Sequence, residues 1–214
     1  MHVIIIGCGS LGSLLAKTLS EEGHDVVVID RERTSLESLG SGFNGTTLVG
    51  IGIDIDVLKK AGIENTDALA AVTTDDNTNI MAAQVARELF QVPKVIARIY
   101  DPEREQIYHD FGLETVSPIK IAASQVRYAL ESRKFRHRFS PNEDLELVEF
   151  EVPPGLQGKK ISQLQIEGRF RIAGVVRHGE GIIPGDDFVL QAGDTVLCLV
   201  EKGSIRKVQA KLHL

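Results

Sequence analysis

The chain is 214 residues long, enough for one large domain or two small ones, and 43% hydrophobic, enough for a core of ordinary size. Its formal charge of -6 gives a mildly acidic surface, which argues against nucleic acid as a partner. No run approaches the roughly 18 uninterrupted apolar residues of a membrane span, and the first residues lack the layout of a secretion signal, so none is expected.

His2-Val3-Ile4-Ile5-Ile6 reads as a buried strand. Gly7-Cys8-Gly9-Ser10-Leu11-Gly12 follows at once, then a helical pattern through Leu14, Leu15, Ala16 and Leu19. A second apolar strand, Val26 to Ile29, ends in Asp30. Strand, G-x-G-x-x-G, helix, strand and acid, in that order, form the dinucleotide-binding fingerprint. Gly7 permits the tight turn, Gly9 lets a pyrophosphate approach the backbone, and Gly12 lets the helix pack on the strand. The helix start offers free N–H groups and a partial positive charge to phosphates, and Asp30 offers acceptors to ribose hydroxyls.

Alternation of strands and helices continues. Thr46 to Gly50 reads as a third strand, Asp56 to Ala61 as a short helix stopped by Gly62, and Ala68 to Val72 as a fourth strand. The polar cluster Thr73-Thr74-Asp75-Asp76-Asn77 reads as a solvated loop before a helix from Asn79 to Leu89. Lys94 to Ile99 is expected as strand, Glu103 to Phe111 as helix and Leu113 to Val116 as strand. This alternation implies a doubly wound parallel sheet covered on both faces. Pro118 then opens a helix to about Arg133, with an apolar stripe of Ile119, Ala122, Ala123, Val126, Ala129 and Leu130, widened by Ile121 and Tyr128. The crossovers are complete before it begins, so it packs on its own domain or on a second subunit; the second is favoured because small alanines allow close approach.

Ser132 to Glu143 reads as a polar connector, either a solvated linker or, through Arg133 to Arg138, a contact for an acidic partner or lipid headgroups. It divides an expected nucleotide-binding domain over 1–133 from a small α+β domain over 144–214. In the second domain Leu145 to Val152 alternates as a half-exposed strand, and Pro153-Pro154-Gly155 turns it. A helical turn is expected at Ile161 to Leu164, a strand at Arg171 to Arg177 and a hairpin turn at Gly179-Glu180-Gly181. A strand pair around Val189 and Thr195 to Val200, and a helix from Ser204 to Leu212, complete the expectation. The two cysteines, Cys8 and Cys198, read as small buried hydrophobes, with a reactive Cys8 thiol as the alternative. The six histidines show no metal-ligand spacing.

With these motifs the chain resembles the regulatory subunits of Trk and Ktr potassium-uptake systems, built from N-terminal and C-terminal RCK (regulator of K+ conductance) domains. The resemblance rests on IIIGCGSLG, VVVID, LKKAGIENTDALAAVTTDDNTNI and VIARIYDP in the first half, and on VPPGLQGKKISQL and IAGVVRHGEGIIPGDDFVLQAGDTVLCLV in the second. It implies a Rossmann-like RCK N-domain, a dimerisation helix and a small α+β RCK C-domain. The implied ligand is an adenine nucleotide (NAD or NADH, ATP, ADP or AMP) at the carboxyl ends of the strands. The implied site takes Gly7, Cys8, Gly9, Ser10, Leu11 and Gly12 as phosphate loop, with Asp30 and Arg31 after strand two. It continues through Gly50, Ile51, Gly52 and Asp54, then Thr73, Thr74, Asp75 and Asn77, with Arg98 reaching phosphate. Strand-end solvation is the competing reading for Thr73, Thr74 and Arg98. Two departures stand out: Ile51 replaces the first acid of the family's G-D-x-[TS]-D, and Ser10 stands where some ATP-responsive members carry an arginine. An uncharged hydroxyl cannot make that charge-assisted contact.

Some relatives bind cyclic di-AMP in the C-domain, which here maps to Ile182, Ile183 and Pro184 with Arg177 nearby; a hairpin packing its own core explains the isoleucines equally well. The implied function is a cytoplasmic, non-enzymatic subunit, peripheral on the membrane, assembling as homo- or hetero-dimers into an octameric ring. That ring would gate an integral-membrane K+ transporter. The competing classes are a small NAD-dependent oxidoreductase, for which no Tyr-x-x-x-Lys or His–acid pair is found, and a redox-sensing transcription factor, for which no helix-turn-helix or basic face is found.

Overall fold

The computed structural model describes residues 1–110, 112–131, 136–139 and 144–212. The chain divides into two compact units, Met1–Ile121 and Ala122–Leu214.

In the first unit, β1 (His2–Ile6), β2 (Asp25–Asp30), β3 (Thr46–Val49), β4 (Ala68–Ala71), β5 (Lys94–Arg98) and β6 (Glu114–Val116) form a parallel sheet in the order β3-β2-β1-β4-β5-β6. The order runs outward from β1 in one direction and from β4 in the other, so β1 and β4 meet at the point where a ligand crevice opens in such sheets. The apolar runs of β1 and β2 serve two layers, because successive residues point to opposite faces. Val3, Ile5, Val26 and Val28 pack with Ala16 of α1 (Ser10–Glu21) and Leu36 of α2 (Arg33–Glu37). Ile4, Ile6, Val27 and Ile29 pack with Leu58 of α3 (Ile55–Lys60) and with Ile80 and Ala83 of α4 (Asp76–Gln84).

A π-helical segment, Val85–Leu89, continues α4, and α5 (Pro102–Asp110) precedes β6. The expected helix from Asn79 therefore begins earlier, at Asp76, because the Asp75 side chain caps it. Five-residue α2 was not expected; its sequence, RTSLE, carries one apolar residue and no periodicity to read. Helix α6 (Pro118–Glu131) follows the expected span, and its stripe stays exposed at Ile119, Ile121, Val126 and Leu130. Phe111, Ser132 and Arg133 lie outside the described residues.

The second unit is an antiparallel sheet in the order β10-β9-β11-β8-β7. Its strands are β7 (Arg136–Phe139), β8 (Leu145–Glu151), β9 (Phe170–Arg177), β10 (Glu180–Ile182) and β11 (Thr195–Glu201). The connector expected over Ser132 to Glu143 is corrected here: its middle is an edge strand, β7, pairing with β8. An edge strand tolerates the polar sequence RHRF, which is why composition suggested a linker. The hairpin turn sits at His178-Gly179, both at positive φ, and Glu180 and Gly181 already belong to β10. Val189 makes a single bridge to Lys160 rather than a strand. Helices α7 (Ile161–Leu164) and α8 (Ile205–Leu212) bury Ile161, Leu164, Val208 and Leu212 among Phe150, Phe170 and Val196.

Candidate functional site

The carboxyl ends of β1 to β5 open on a cleft of about 560 Å³ within the first unit, a volume suited to a small organic ligand. Its floor is the turn after β1. Gly7 has φ +100 and donates its N–H to Ile29 O at 2.8 Å. A Cβ at Gly7 would lie 2.8 Å from Thr73 N, so both conformation and space demand glycine. A Cβ at Gly12 would stand 1.9 Å from Gly7 O, which is the close packing of helix on strand that the motif implies. Gly9 differs: a Cβ there would meet nothing within 4 Å. It is the N-cap of α1 and supplies no side-chain bond to the helix's first N–H groups, which leaves them free for an anion.

At the end of β2, Asp30 Oδ2 accepts the Cys8 N–H at 2.7 Å and Oδ1 accepts the Glu32 N–H at 2.9 Å. The carboxylate is thereby locked in place with lone pairs left over for hydroxyl donors. Past β3, Gly50, Ile51 and Gly52 line the cleft, and Ile51 is 58% exposed. A Cβ at Gly52 would fall 2.1 Å from the Ile6 side chain, so that glycine lets the loop rest on β1. The far wall is Thr73, Thr74, Asp75 and Arg98. Arg98 Nη1 donates to Thr73 O at 2.8 Å and its guanidinium lies 5.9 Å from the Tyr100 ring centre. Asp75 Oδ1 accepts the N–H and hydroxyl of Thr78, both at 2.7 Å, and these bonds hold its carboxyl below the ordinary range.

Of the residues expected from sequence, Gly7, Gly9, Ser10, Leu11, Asp30, Arg31, Gly50, Ile51, Gly52, Thr73, Thr74, Asp75 and Arg98 share this one cleft. Four lie off its wall, and each has another task. Gly12 is buried under the turn. Cys8 points its side chain into the α1–α2 layer; burial pushes its thiol up, the Asp30 charge adds to this, and Ser38 and Lys17 oppose it. That environment leaves no activated thiolate. Asp54 caps α3, accepting the N–H groups of Asp56 and Val57 at 2.8 and 3.3 Å. Asn77 accepts from Arg104 at 2.8 Å.

Two residues that the sequence hid support the far wall. Asp76, expected as loop, accepts the Tyr100 N–H at 2.7 Å and the Asp101 N–H at 3.2 Å. Asn79, expected only as a helix start, bonds to Thr73 and to Arg98 O. The signal available was a polar residue at each inward position of an apolar helix stripe.

In the second unit, Arg177 makes a two-pronged pair with Asp194, at 2.8 and 2.7 Å, and stacks on Phe188 with its guanidinium 4.8 Å from the ring centre. The Arg177 hydrogen bonds hold the Asp194 carboxyl below the usual range, helped by the Gln191 N–H. Ile183 is 94% exposed, so it does not pack the hairpin's own core. Among the described residues no cluster of His, Cys, Asp or Glu can hold a metal, and no helix is long and apolar enough to cross a membrane.

A doubly wound sheet whose glycine turn, free helix start and strand-end carboxylate meet at the switch point defines a Rossmann-like unit, here followed by a small antiparallel unit. The model for the TrkA-N domain matches residues 3–118 and that for the TrkA-C domain matches residues 147–213. The chain belongs to the TrkA family. It is 45% identical over 211 residues to "Trk system potassium uptake protein TrkA" of Streptomyces coelicolor, covering 98% of this chain and 95% of that one. It is 29% identical over 210 residues to a TrkA homolog of Methanothermobacter thermautotrophicus, covering 97% of each. Among solved structures, the GsuK RCK domain superposes with a TM-score of 0.68 at 19% identity, over 100% of this chain and 48% of that one. The GsuK channel bound to NAD gives 0.69 at 19% identity, over 99% and 39%. This chain thus spans about half, or less, of those structures' length, and they establish its RCK-type fold.

Proposed function

We propose that this protein is a regulatory subunit of a potassium-uptake system. An adenine nucleotide bound in the first unit biases a membrane K+ transporter through the shape of an assembly of these subunits. The observation that carries this reading is the cleft: an empty-sided glycine at the start of α1, the guanidinium groups of Arg31 (paired with Glu32 at 3.6 Å) and Arg98, and a pre-locked Asp30 carboxylate lining one space. Streptomyces and archaeal relatives bear the name of Trk uptake proteins, and one GsuK structure holds NAD. In this reading residues 1–133 form the nucleotide domain and 144–214 a second ligand-responsive domain, in which cyclic di-AMP is the candidate. The assembly is an octameric ring on the cytoplasmic face of the membrane.

Ligand moves a gate only by its preference for one state. Turning a gate from 1:99 to 99:1 takes about 5.5 kcal/mol, or about 0.7 kcal/mol from each of eight coupled sites, less than one ordinary hydrogen bond. A redox enzyme is the weaker reading. Among the described residues, the cleft wall carries no His, Lys, Tyr or Cys, and its Asp75 is held ionised. The test is calorimetry with NAD, NADH, ATP, ADP and AMP, paired with light scattering. Binding accompanied by a nucleotide-dependent change in hydrodynamic size is the expected result. No heat with any of the five, or steady NADH turnover with small carbonyl compounds, overturns the proposal.

A further inference from the structure

Asn79 sits in the first turn of α4, is 0% exposed and forms no part of the cleft wall. Its side chain is fully used. Oδ1 accepts the Thr73 N–H at 2.8 Å and the Thr73 hydroxyl at 2.7 Å. Nδ2 donates to Thr73 O at 3.0 Å and to Arg98 O at 2.9 Å. These partners set the amide's orientation, since a flip would face oxygen to two carbonyls and NH2 to an N–H. The position lies on a helix face that also buries Ile80, Ala82 and Ala83, where an apolar residue would be cheaper to bury. Thr73 backs Gly7 so closely that a Cβ there would strike Thr73 N, and a Cβ at Gly12 would in turn strike Gly7 O. One amide therefore joins the ends of β4 and β5 and backs the turn after β1.

We infer that Asn79 is a positioning residue for the bound nucleotide: it holds Thr73 and Arg98 in the single arrangement that meets the ligand, without touching the ligand itself. The inference rests on the nucleotide reading above. Loss of its donors removes the Asn79 bond from Arg98 O and leaves Thr73 O to the Arg98 guanidinium, and the far wall then samples several arrangements of which one binds.

The experiment compares full-length wild type with N79D, titrated calorimetrically with NAD and with ADP at pH 8 and pH 5.5. The variant is isosteric and keeps both acceptor bonds, but ionised it places a negative oxygen against two carbonyls. Protonated, it regains one donor. The expected result is affinity about tenfold below wild type at pH 8, with the variant-to-wild-type ratio recovering at pH 5.5. The Tm of N79D is followed at both pH values: an affinity loss at pH 8 in protein that is fully folded at the titration temperature supports the role, and an unchanged affinity, or a loss equal at both pH values, overturns it. Should N79D not fold, the wild-type Asn79 side-chain amide is followed by NMR: slow exchange and a shift on saturation with NAD or ADP support the role, and an unmoved resonance overturns it. Wild type that binds neither compound sinks the nucleotide reading itself, a result distinguishable from wild type that binds and a variant that binds as well.

Discussion

The three glycines of the turn after β1 do different physical work, and substitution separates them. Gly12→Ala drives a methyl into a backbone carbonyl that cannot retreat, so the first unit is expected to lose about 1–3 kcal/mol, read as a drop in Tm. Gly9→Ala meets open space at φ -72, an ordinary conformation, so Tm is expected to hold. Its methyl then occupies the approach to α1, and nucleotide affinity falls at least about tenfold in calorimetry. Equal Tm losses for the two variants would contradict the assignment. The strand–turn–helix signature was legible because most of its chemistry is local: Gly12 answers to Gly7 O and Gly9 to the ligand, while Gly7 answers to its own positive φ as well as to the more distant Thr73. Asn79 and Asp76 were not legible, since their partners, Thr73, Arg98, Tyr100 and Asp101, come together only through the crossover between β4 and β5. Ile51 could be read as a lost acid, and the structure gives it a place on the cleft wall as an exposed apolar surface.

At the scale of elements, two short helices owe their starts to aspartates, and only one of those faces the cleft. Asp54→Ala is expected to cost about 1 kcal/mol through the lost cap of α3 while nucleotide affinity stays unchanged; an affinity loss would return Asp54 to the site. Continuous apolar strands and long amphipathic helices were plain in the sequence, whereas α2 and β7 were not. The first is too short for a period, and the second is an edge whose regularity comes from β8 rather than from its own residues. In the second unit the Arg177–Asp194 pair ties β9 to the turn before β11. Asp194 is 1% exposed and its folded carboxyl titrates below the unfolded value of about 3.9. Its contribution is therefore complete above that pH and disappears as pH falls through the lower folded value. Asp194→Asn is expected to lower the Tm at pH 7 and to flatten the loss of Tm below about pH 4. An acid limb as steep as wild type would show that other carboxylates set it.

For the molecule as a whole, the apolar face of α6 stands exposed among the described residues. Leu130 is 82% exposed, and Ile119, Ile121 and Val126 are exposed with it. A stripe of this kind at helical spacing fits a second subunit better than water. The double substitution Val126→Glu and Leu130→Glu is expected to shrink the assembly in light scattering while circular dichroism stays unchanged. An assembly of unchanged mass would place the contact elsewhere. The sequence made the stripe visible; a second chain as its cover is the expectation that this measurement checks.

The two thiols are distributed one to each unit, Cys8 beside the phosphate turn and Cys198 in the core of the antiparallel sheet, and both are buried with their ionisation pushed up. An alkylating reagent can reach either one only when its own half opens. The native chain thus carries two built-in stopwatches, and a compound seated against Gly9 should slow the first while leaving the second ticking at its usual pace.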